Sequence, residues 1–252
     1  MVENVQENLN IETEESIIEE EKFVPIRSIS YDQYDIIRDI QKMYVPGGFD
    51  LDPTYSKGVF YKPDDIMEPR LKYDLFPKTE DTLQASAVDL PLEDGSVGSI
   101  MFDPPFVAGH TRKAPTGIIG KRFHGFRYVS DLWGWYDECL AEFSRVLEDK
   151  GVLVFKCQDT VSSAKNWFSH CFIMNRAMVH GFYPRDMFVL LAKARLIGKN
   201  HRKKQSHARK FHSYFWVFEK RKCRVPYDIE EIVKINQAAD ERFAKREEEE
   251  NE

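Results

Sequence analysis

Two periods of apolar spacing alternate along the chain. Over residues 31–45 (YDQYDIIRDIQKMYV) the apolar positions Ile36, Ile37, Ile40, Met43 and Tyr44 predict a helix, and Pro46-Gly47-Gly48 ends it. Phe49 to Pro53 then predicts a short strand running into a turn. Residues 71–76 (LKYDLF) alternate as a second strand, and 82–88 can form a third before the turn-prone Glu93-Asp94-Gly95-Ser96. Val97 to Phe102 is a fourth strand, which two prolines stop at Asp103-Pro104-Pro105. A helix is predicted over 130–148, with Ser130 as its N-cap and an apolar stripe of Leu132, Tyr136, Leu140, Phe143, Val146 and Leu147. The uninterrupted apolar run Val152 to Phe155 suits a strand buried on both faces. A helix near 163–180, stopped by Gly181, and strands over Met187–Ala192 and Ser213–Phe218 complete the pattern. From 228 onward a charged helix fades into an acidic end.

Strands separated by helices, one of them wholly apolar, predict an α/β layered fold with a mostly parallel sheet. Ligands of such sheets sit at the carboxyl ends of the strands, which is where chemistry is to be sought. The chain has 252 residues, 42% of them hydrophobic and 13% aromatic, so it can bury a sizeable core and is not disordered throughout. No apolar run approaches the length of a membrane span, so no membrane association is expected. The acidic start is the opposite of a secretory leader. The four cysteines lack the CxxC spacing of a zinc ribbon or a disulfide framework. A reduced, cytoplasmic protein without a metal is the expectation.

Charge divides the chain into three. Residues 1–21 carry eight acids and no base, and 225–252 carry ten acids and four bases. The net charge of −6 therefore hides a body, 22–224, of net charge +8. The segments read as an acidic N-terminal stretch (1–24) expected to be disordered, a folded domain (25–224), and a charged helix with an acidic tail (225–252). Within the body, 107–129 holds five Lys/Arg and two His, and 199–212 holds six Lys/Arg and three His, neither with an acid. Interleaved with Phe123, Phe126, Tyr128 and Phe211, these runs suggest a surface that tracks phosphates and stacks bases. Candidate phosphate contacts are Lys113, Lys121, Arg122, Arg202, Lys203, Lys204, Arg209 and Lys210. His207 and His212 suit packing or phosphate-adjacent positions rather than metal ligation, and Gly117 and Gly120 could hinge the first run.

The carboxyl end of the fourth strand carries Asp103-Pro104-Pro105-Phe106, a tetrapeptide that resembles the fourth motif of methyltransferases acting on exocyclic amino groups of bases, and that resemblance implies the following chemistry. An exocyclic amine on a base is a poor nucleophile because its lone pair is delocalised into the ring. A carboxylate at 103 and the carbonyl of Pro104 can each accept one of its N–H groups. The prolines fix the backbone that aims this carbonyl, and Phe106 offers a stacking face to an extruded base.

In these residues the chain resembles the class I S-adenosylmethionine-dependent methyltransferases that modify exocyclic amino groups of bases. SIMFDPPF resembles the fourth motif of that family, ASAVDLPLEDGSVGS its approach, and RVLEDKGVLVFKCQD its fifth strand. The resemblance spans roughly 45–220 and is closest to DNA adenine-N6 methylases of bacteria and phages. It implies a Rossmann-like fold with a mostly parallel seven-stranded sheet and a terminal antiparallel hairpin strand. It also implies S-adenosyl-L-methionine as cofactor, with Asp103, Pro104, Pro105 and Phe106 catalytic.

The first-strand cofactor motif falls in FDLDPTYSKG: Asp50, Asp52, Pro53, Thr54, Lys57 and Gly58 are candidates, with Ser56 where the family commonly has glycine. Asp50 or Asp52 could receive an ammonium, and Lys57 a carboxylate. Asp74, ending the second strand, could hold ribose hydroxyls. Ser86 and Asp89 are candidates for the adenine side, and Gly98 replaces an acid common in the family. The implied activity is methylation of an exocyclic amino group in a nucleic-acid base, adenine N6 in DNA being favoured. The alternatives are an RNA (tRNA) base methylase and a nucleic-acid-binding protein that has lost catalysis.

Overall fold

The computed structural model describes residues 24–106, 108, 126–162, 164–193 and 207–221, with three helical pairs at 233–234, 237–238 and 241–242. Among the described residues, ten strands and three α-helices follow in the order β1 (Ile29–Ser30), α1 (Gln33–Tyr44), β2 (Leu51–Asp52), β3 (Leu71–Asp74), β4 (Leu83–Gln84), β5 (Val97–Phe102), α2 (Val129–Val146), β6 (Leu147–Cys157), β7 (Thr160–Ser162), β8 (Lys165–Trp167), α3 (Ser169–Val179), β9 (Phe182–Leu191) and β10 (His212–Lys220). A single 3₁₀ turn, Val59–Tyr61, follows β2. Eight strands form one sheet in the order β1-β9-β10-β6-β5-β2-β3-β4, and β7 and β8 form a separate hairpin. Strands β2 to β6 run parallel, whereas β10 lies antiparallel between β6 and β9. This is the expected Rossmann-like α/β fold with its antiparallel strand. The sheet has one strand more than expected because β1 pairs with β9, a contact too short to leave a periodic signal.

Strand parity assigns the two faces. Leu51, Ile100, Phe102, Leu153, Phe155, Trp216 and Phe218 pack beneath α2 and α3. Met101, Val152, Val154, Phe215 and Val217 face α1, with Ile36, Ile37 and Ile40. Because side chains alternate, Asp52, Asp103 and Lys156 fall on the α1 side at the carboxyl edge. Phe102, the residue before Asp103, is clamped edge-on by Phe143 (4.7 Å between centroids) and Phe155 (4.8 Å), so the strand end is rigid.

Local chemistry explains the boundaries that moved. Helix α1 is capped by Asp32, whose Oδ1 accepts the Tyr34 N–H at 2.8 Å; Met43, expected in its buried stripe, is exposed. Helix α2 starts one residue before the expected Ser130 cap, and Asp131 Oδ2 accepts the Tyr128 N–H at 3.2 Å. Strand β6 begins at Leu147, within the expected helix, and its register against β5 shifts between Val97 and Ser99. The chains are close there, since a Cβ on Gly98 would lie 3.0 Å from Glu148 Oε1 and 3.1 Å from Asp50 Oδ2. The expected helix over 163–180 starts only at Ser169, its first part being the β7–β8 hairpin. Gly181 ends it at φ +86°. Strand β9 begins at Phe182 rather than Met187, and the third expected strand contracts to Leu83–Gln84. Among the described residues no helix is long and apolar enough to cross a membrane.

Candidate active site

The carboxyl edge of the central strands gathers a buried carboxylate, Asp52, a half-buried one, Asp103, and a lysine. Asp52, the last residue of β2, is 2% exposed. Its Oδ1 accepts the Thr54 N–H at 2.8 Å and the Thr54 hydroxyl at 3.2 Å, while Oδ2 accepts the Tyr61 hydroxyl at 3.0 Å. Burial outweighs these bonds and pushes the Asp52 carboxyl up to about 7, with nearby Asp103 adding to the rise. Thr54 Oγ1 also accepts the Asp103 N–H at 3.0 Å. One hydroxyl thus joins the turn after β2 to the motif after β5.

Asp103 stands one residue beyond β5. Its Oδ1 is shielded from solvent and has no hydrogen-bond partner. The Lys156 ammonium lies 3.3 Å from Oδ1, near enough for an ion pair without a directed hydrogen bond, and 3.5 Å from Oδ2. Desolvation raises the Asp103 pKa, and Lys156 opposes the rise. Pro104 is buried and Phe106 half-buried beside it. The Pro105 carbonyl accepts the hydroxyl of fully buried Tyr136 at 2.6 Å, pinning the motif to α2. The Pro104 carbonyl has no hydrogen-bond partner among the described residues.

Beside these groups, the turn after β2 and the ends of β3 and β4 are tied together by hydrogen bonds. The Tyr55 N–H donates to the Tyr73 carbonyl at 3.0 Å. Asp74 accepts the N–H groups of Ser56 at 3.0 Å and Phe76 at 2.7 Å, one on each oxygen, which leaves lone pairs on both oxygens for a diol. Ser56 and Gly58 hold left-handed backbones at φ +54° and +60°. At Gly58 a Cβ would collide with the Tyr55 phenol, so glycine is strongly favoured there. Lys57 projects into solvent from this turn, buried Pro53 stiffens its start, and Ser86 sits half-buried in a turn closed by the Asp89 N–H to the Ser86 carbonyl (3.0 Å), with Asp89 exposed. A carboxylate with spare acceptors beside a tight, backbone-rich turn fits a ribose-bearing, amino-acid-like cofactor.

Asp50 does not join this group. It precedes β2, and its carboxylate accepts the Gly98 N–H at 2.8 Å and pairs with Arg70 at 3.5 Å. Both partners lie toward the amino end of the sheet, because Leu51 pairs with Ile100. In this arrangement Asp50, a cofactor candidate from the sequence, ties β2 to β5.

Of the basic candidates, Lys113, Lys121, Arg122, Arg202, Lys203 and Lys204 lie outside the described residues, as do Gly117 and Gly120. Arg209 and Lys210 reach the same sheet edge, with Lys210 Nζ 5.5 Å from the exposed Phe168 ring. His207 anchors them to the β7–β8 hairpin: its Nε2 lies 2.9 Å from the Ala164 carbonyl and its Nδ1 3.1 Å from the Asn166 amide nitrogen. His212 packs edge-on against Tyr214 at 5.1 Å. Sequence reasoning missed Lys156, Tyr61 and Phe60. Lys156 had a signal, a lone charge at the end of the apolar run 152–155; Tyr61 and Phe60 had none.

No protein-family model and no curated protein matches the sequence. Among solved structures, the chain is similar to the PvuII cytosine-N4-specific DNA methyltransferase, at 14% identity over 52% of this chain and 45% of that one, TM-score 0.40. It is also similar to TrmN from Thermus thermophilus (18% identity, 55% and 28% covered, TM-score 0.31). A third likeness is to a SAM-dependent methyltransferase from Thermotoga maritima (15%, 75% and 89%, TM-score 0.39). The match spans less than half the length of the first two. Likenesses at these scores carry no argument about activity, which rests on the side chains.

Proposed function

We propose that this chain is an S-adenosyl-L-methionine-dependent methyltransferase acting on an exocyclic amino group of a nucleic-acid base, adenine N6 in DNA being the favoured target. The observation that carries the reading is Asp103 Oδ1, a buried acceptor with no hydrogen-bond partner at the carboxyl end of a central strand. An unpaired buried acceptor costs free energy, and an incoming N–H offsets that cost. In this reading Asp103 accepts one N–H of the amine and the Pro104 carbonyl the other, raising electron density on nitrogen and aiming its lone pair. Pro105 holds the backbone through Tyr136, and Phe106 stacks on the extruded base. Asp74 would hold the ribose hydroxyls, Ser86 and Asp89 the adenine side, and the 52–58 turn (Asp52, Pro53, Thr54, Lys57, Gly58) the methionine end. The cofactor supplies a methyl group already activated by its sulfonium, so these residues have mainly to bind and orient.

Nucleic acid is the proposed partner, with Lys113, Lys121, Arg122, Arg202, Lys203, Lys204, Arg209 and Lys210 as phosphate contacts. The test is incubation of the full chain with methyl-labelled S-adenosylmethionine and a panel of DNA and RNA, followed by nucleoside analysis. Label in N6-methyladenine from DNA is the expected result. Label only in RNA nucleosides would move the substrate to RNA. Cofactor binding with no label in any nucleoside would overturn the reading.

A further inference from the structure

We propose that Lys156 is a positioning residue that keeps Asp103 in its carboxylate form and oriented at the carboxyl edge of the sheet, a role that rests on the reading of Asp103 above. The backbone of Lys156 is locked in the sheet interior: on β6 it pairs with Phe215 of β10, and the adjacent Phe155 pairs with Phe102 of β5. Its side chain is 10% exposed. The ammonium lies 4.6 Å from the centroid of the Phe60 ring, 5.4 Å from Phe215 and 6.0 Å from Phe106. Aromatic faces attract a cation but cannot accept its proton as a base would, so they hold the charge in place without spending it. Among the described residues the carboxylate in reach is Asp103, at 3.3 and 3.5 Å.

Burial disfavours the ionisation of Asp103, and Lys156 opposes that effect. Asp52, at the end of β2, is the other acid coupled to this carboxylate, its own pKa being raised by burial and by the Asp103 charge. Tyr61, from the 3₁₀ turn, and Tyr136, from α2, remain neutral hydroxyls, both held well above the ordinary tyrosine range. Lys156 is therefore the compensating charge among the described groups around Asp103. It does so without occupying Oδ1 by a directed hydrogen bond, which leaves that oxygen open to a substrate N–H. A protonated Asp103 would turn one acceptor into a donor and could no longer draw electron density onto the amine.

The test uses the full chain and the variants Lys156→Met, Lys156→Gln and Lys156→Arg, each checked for folding by circular dichroism. The Asp103 titration is read without substrate, as the carboxyl infrared difference between each protein and the same protein carrying Asp103→Asn. Its midpoint should rise by at least about one pH unit, a tenfold change in proton affinity, in Lys156→Met or Lys156→Gln, and return in Lys156→Arg. The acidic limb of the methyl-transfer rate should move by the same amount, with cofactor KM changed less than roughly twofold. An unmoved midpoint in whichever neutral variant folds overturns the proposal. Absent methyl transfer by the unmodified chain, with the midpoint shift present, overturns the activity and leaves the Lys156–Asp103 coupling standing.

Discussion

Asp103 and Asp159 follow neighbouring parallel strands, one residue past the end of β5 and two past the end of β6; Asp159 is buried, and Asp103 is half-buried with its Oδ1 shielded from solvent. Their surroundings differ. Asp159 has a partner on each oxygen: Oδ1 accepts the His170 N–H at 3.3 Å and lies 2.7 Å from His170 Nδ1, and Oδ2 accepts the Tyr214 hydroxyl at 3.4 Å. The His170 ring stacks on Tyr214 at 4.4 Å, and the His170 carbonyl accepts the Trp216 indole N–H at 3.1 Å. These bonds outweigh burial and hold the Asp159 carboxyl below its ordinary value. Asp103 has one cation nearby and an oxygen without a hydrogen bond, and its pKa rises. Burial alone therefore does not mark a site. A buried carboxylate with its acceptors filled joins elements of the fold, whereas one left unfilled is arranged for a group that arrives later.

Four experiments would break or sharpen this contrast. The largest effect is expected from Asp103→Asn, which keeps the shape and removes the anionic acceptor. Methyl transfer should fall by about 10²–10³-fold, while calorimetric cofactor affinity changes by less than roughly twofold. Equal losses in both would make Asp103 a cofactor ligand. Next is Asp159→Ala, which strands His170 and the Tyr214 hydroxyl. Urea denaturation should show a loss of about 3 kcal/mol, with the rate per folded molecule little changed. A variant of undiminished stability but inactive would reverse the roles assigned to the two aspartates.

The third concerns pH. Asp52 has a folded-state pKa of about 7 against an ordinary value of 3.8. Between those values the folded chain holds a proton that the unfolded chain has released. The stability from this group is full below about pH 4 and declines as pH rises, by up to about 1.4 kcal/mol per unit, until roughly pH 7. Denaturation midpoints compared between pH 5 and pH 7.5 should show that decline, and Asp52→Asn should remove it. The smallest effect is expected from Thr54→Val, which cuts the hydroxyl link between Asp52 and the Asp103 N–H at a cost of about 1 kcal/mol. Its methyl-transfer rate should fall more than its stability, since the link fixes where Asp103 points; a rate unchanged within error would show that Tyr136 and the prolines suffice.

Much of the fold was legible along the chain because its signals are local. The helical spacing of Ile36, Ile37 and Ile40, the apolar run at 152–155 and the proline stop after Phe102 each depend on neighbours a few residues away. Boundaries failed where a distant partner decides them. Strand β9 extends back to Phe182 because β10 supplies a pairing partner as far as Lys220. The first part of the expected helix over 163–180 is a hairpin in which Ala164 takes φ +59°, a conformation that nothing in its composition announces.

The site divides in the same way. That Asp103-Pro104-Pro105-Phe106 closes a strand, and that Asp52 and Asp74 close others, follows from residue order, since alternation and proline stops are properties of adjacent residues. Tertiary packing decided which carboxylates share a pocket. It turned Asp50 toward Gly98, 48 positions away, set Lys156 against Asp103 across 53 positions, and filled Asp159 from Tyr214, 55 positions on. The physical reason is that desolvation and charge pairing depend on distance in space, and strand register brings those residues together only after the sheet has formed.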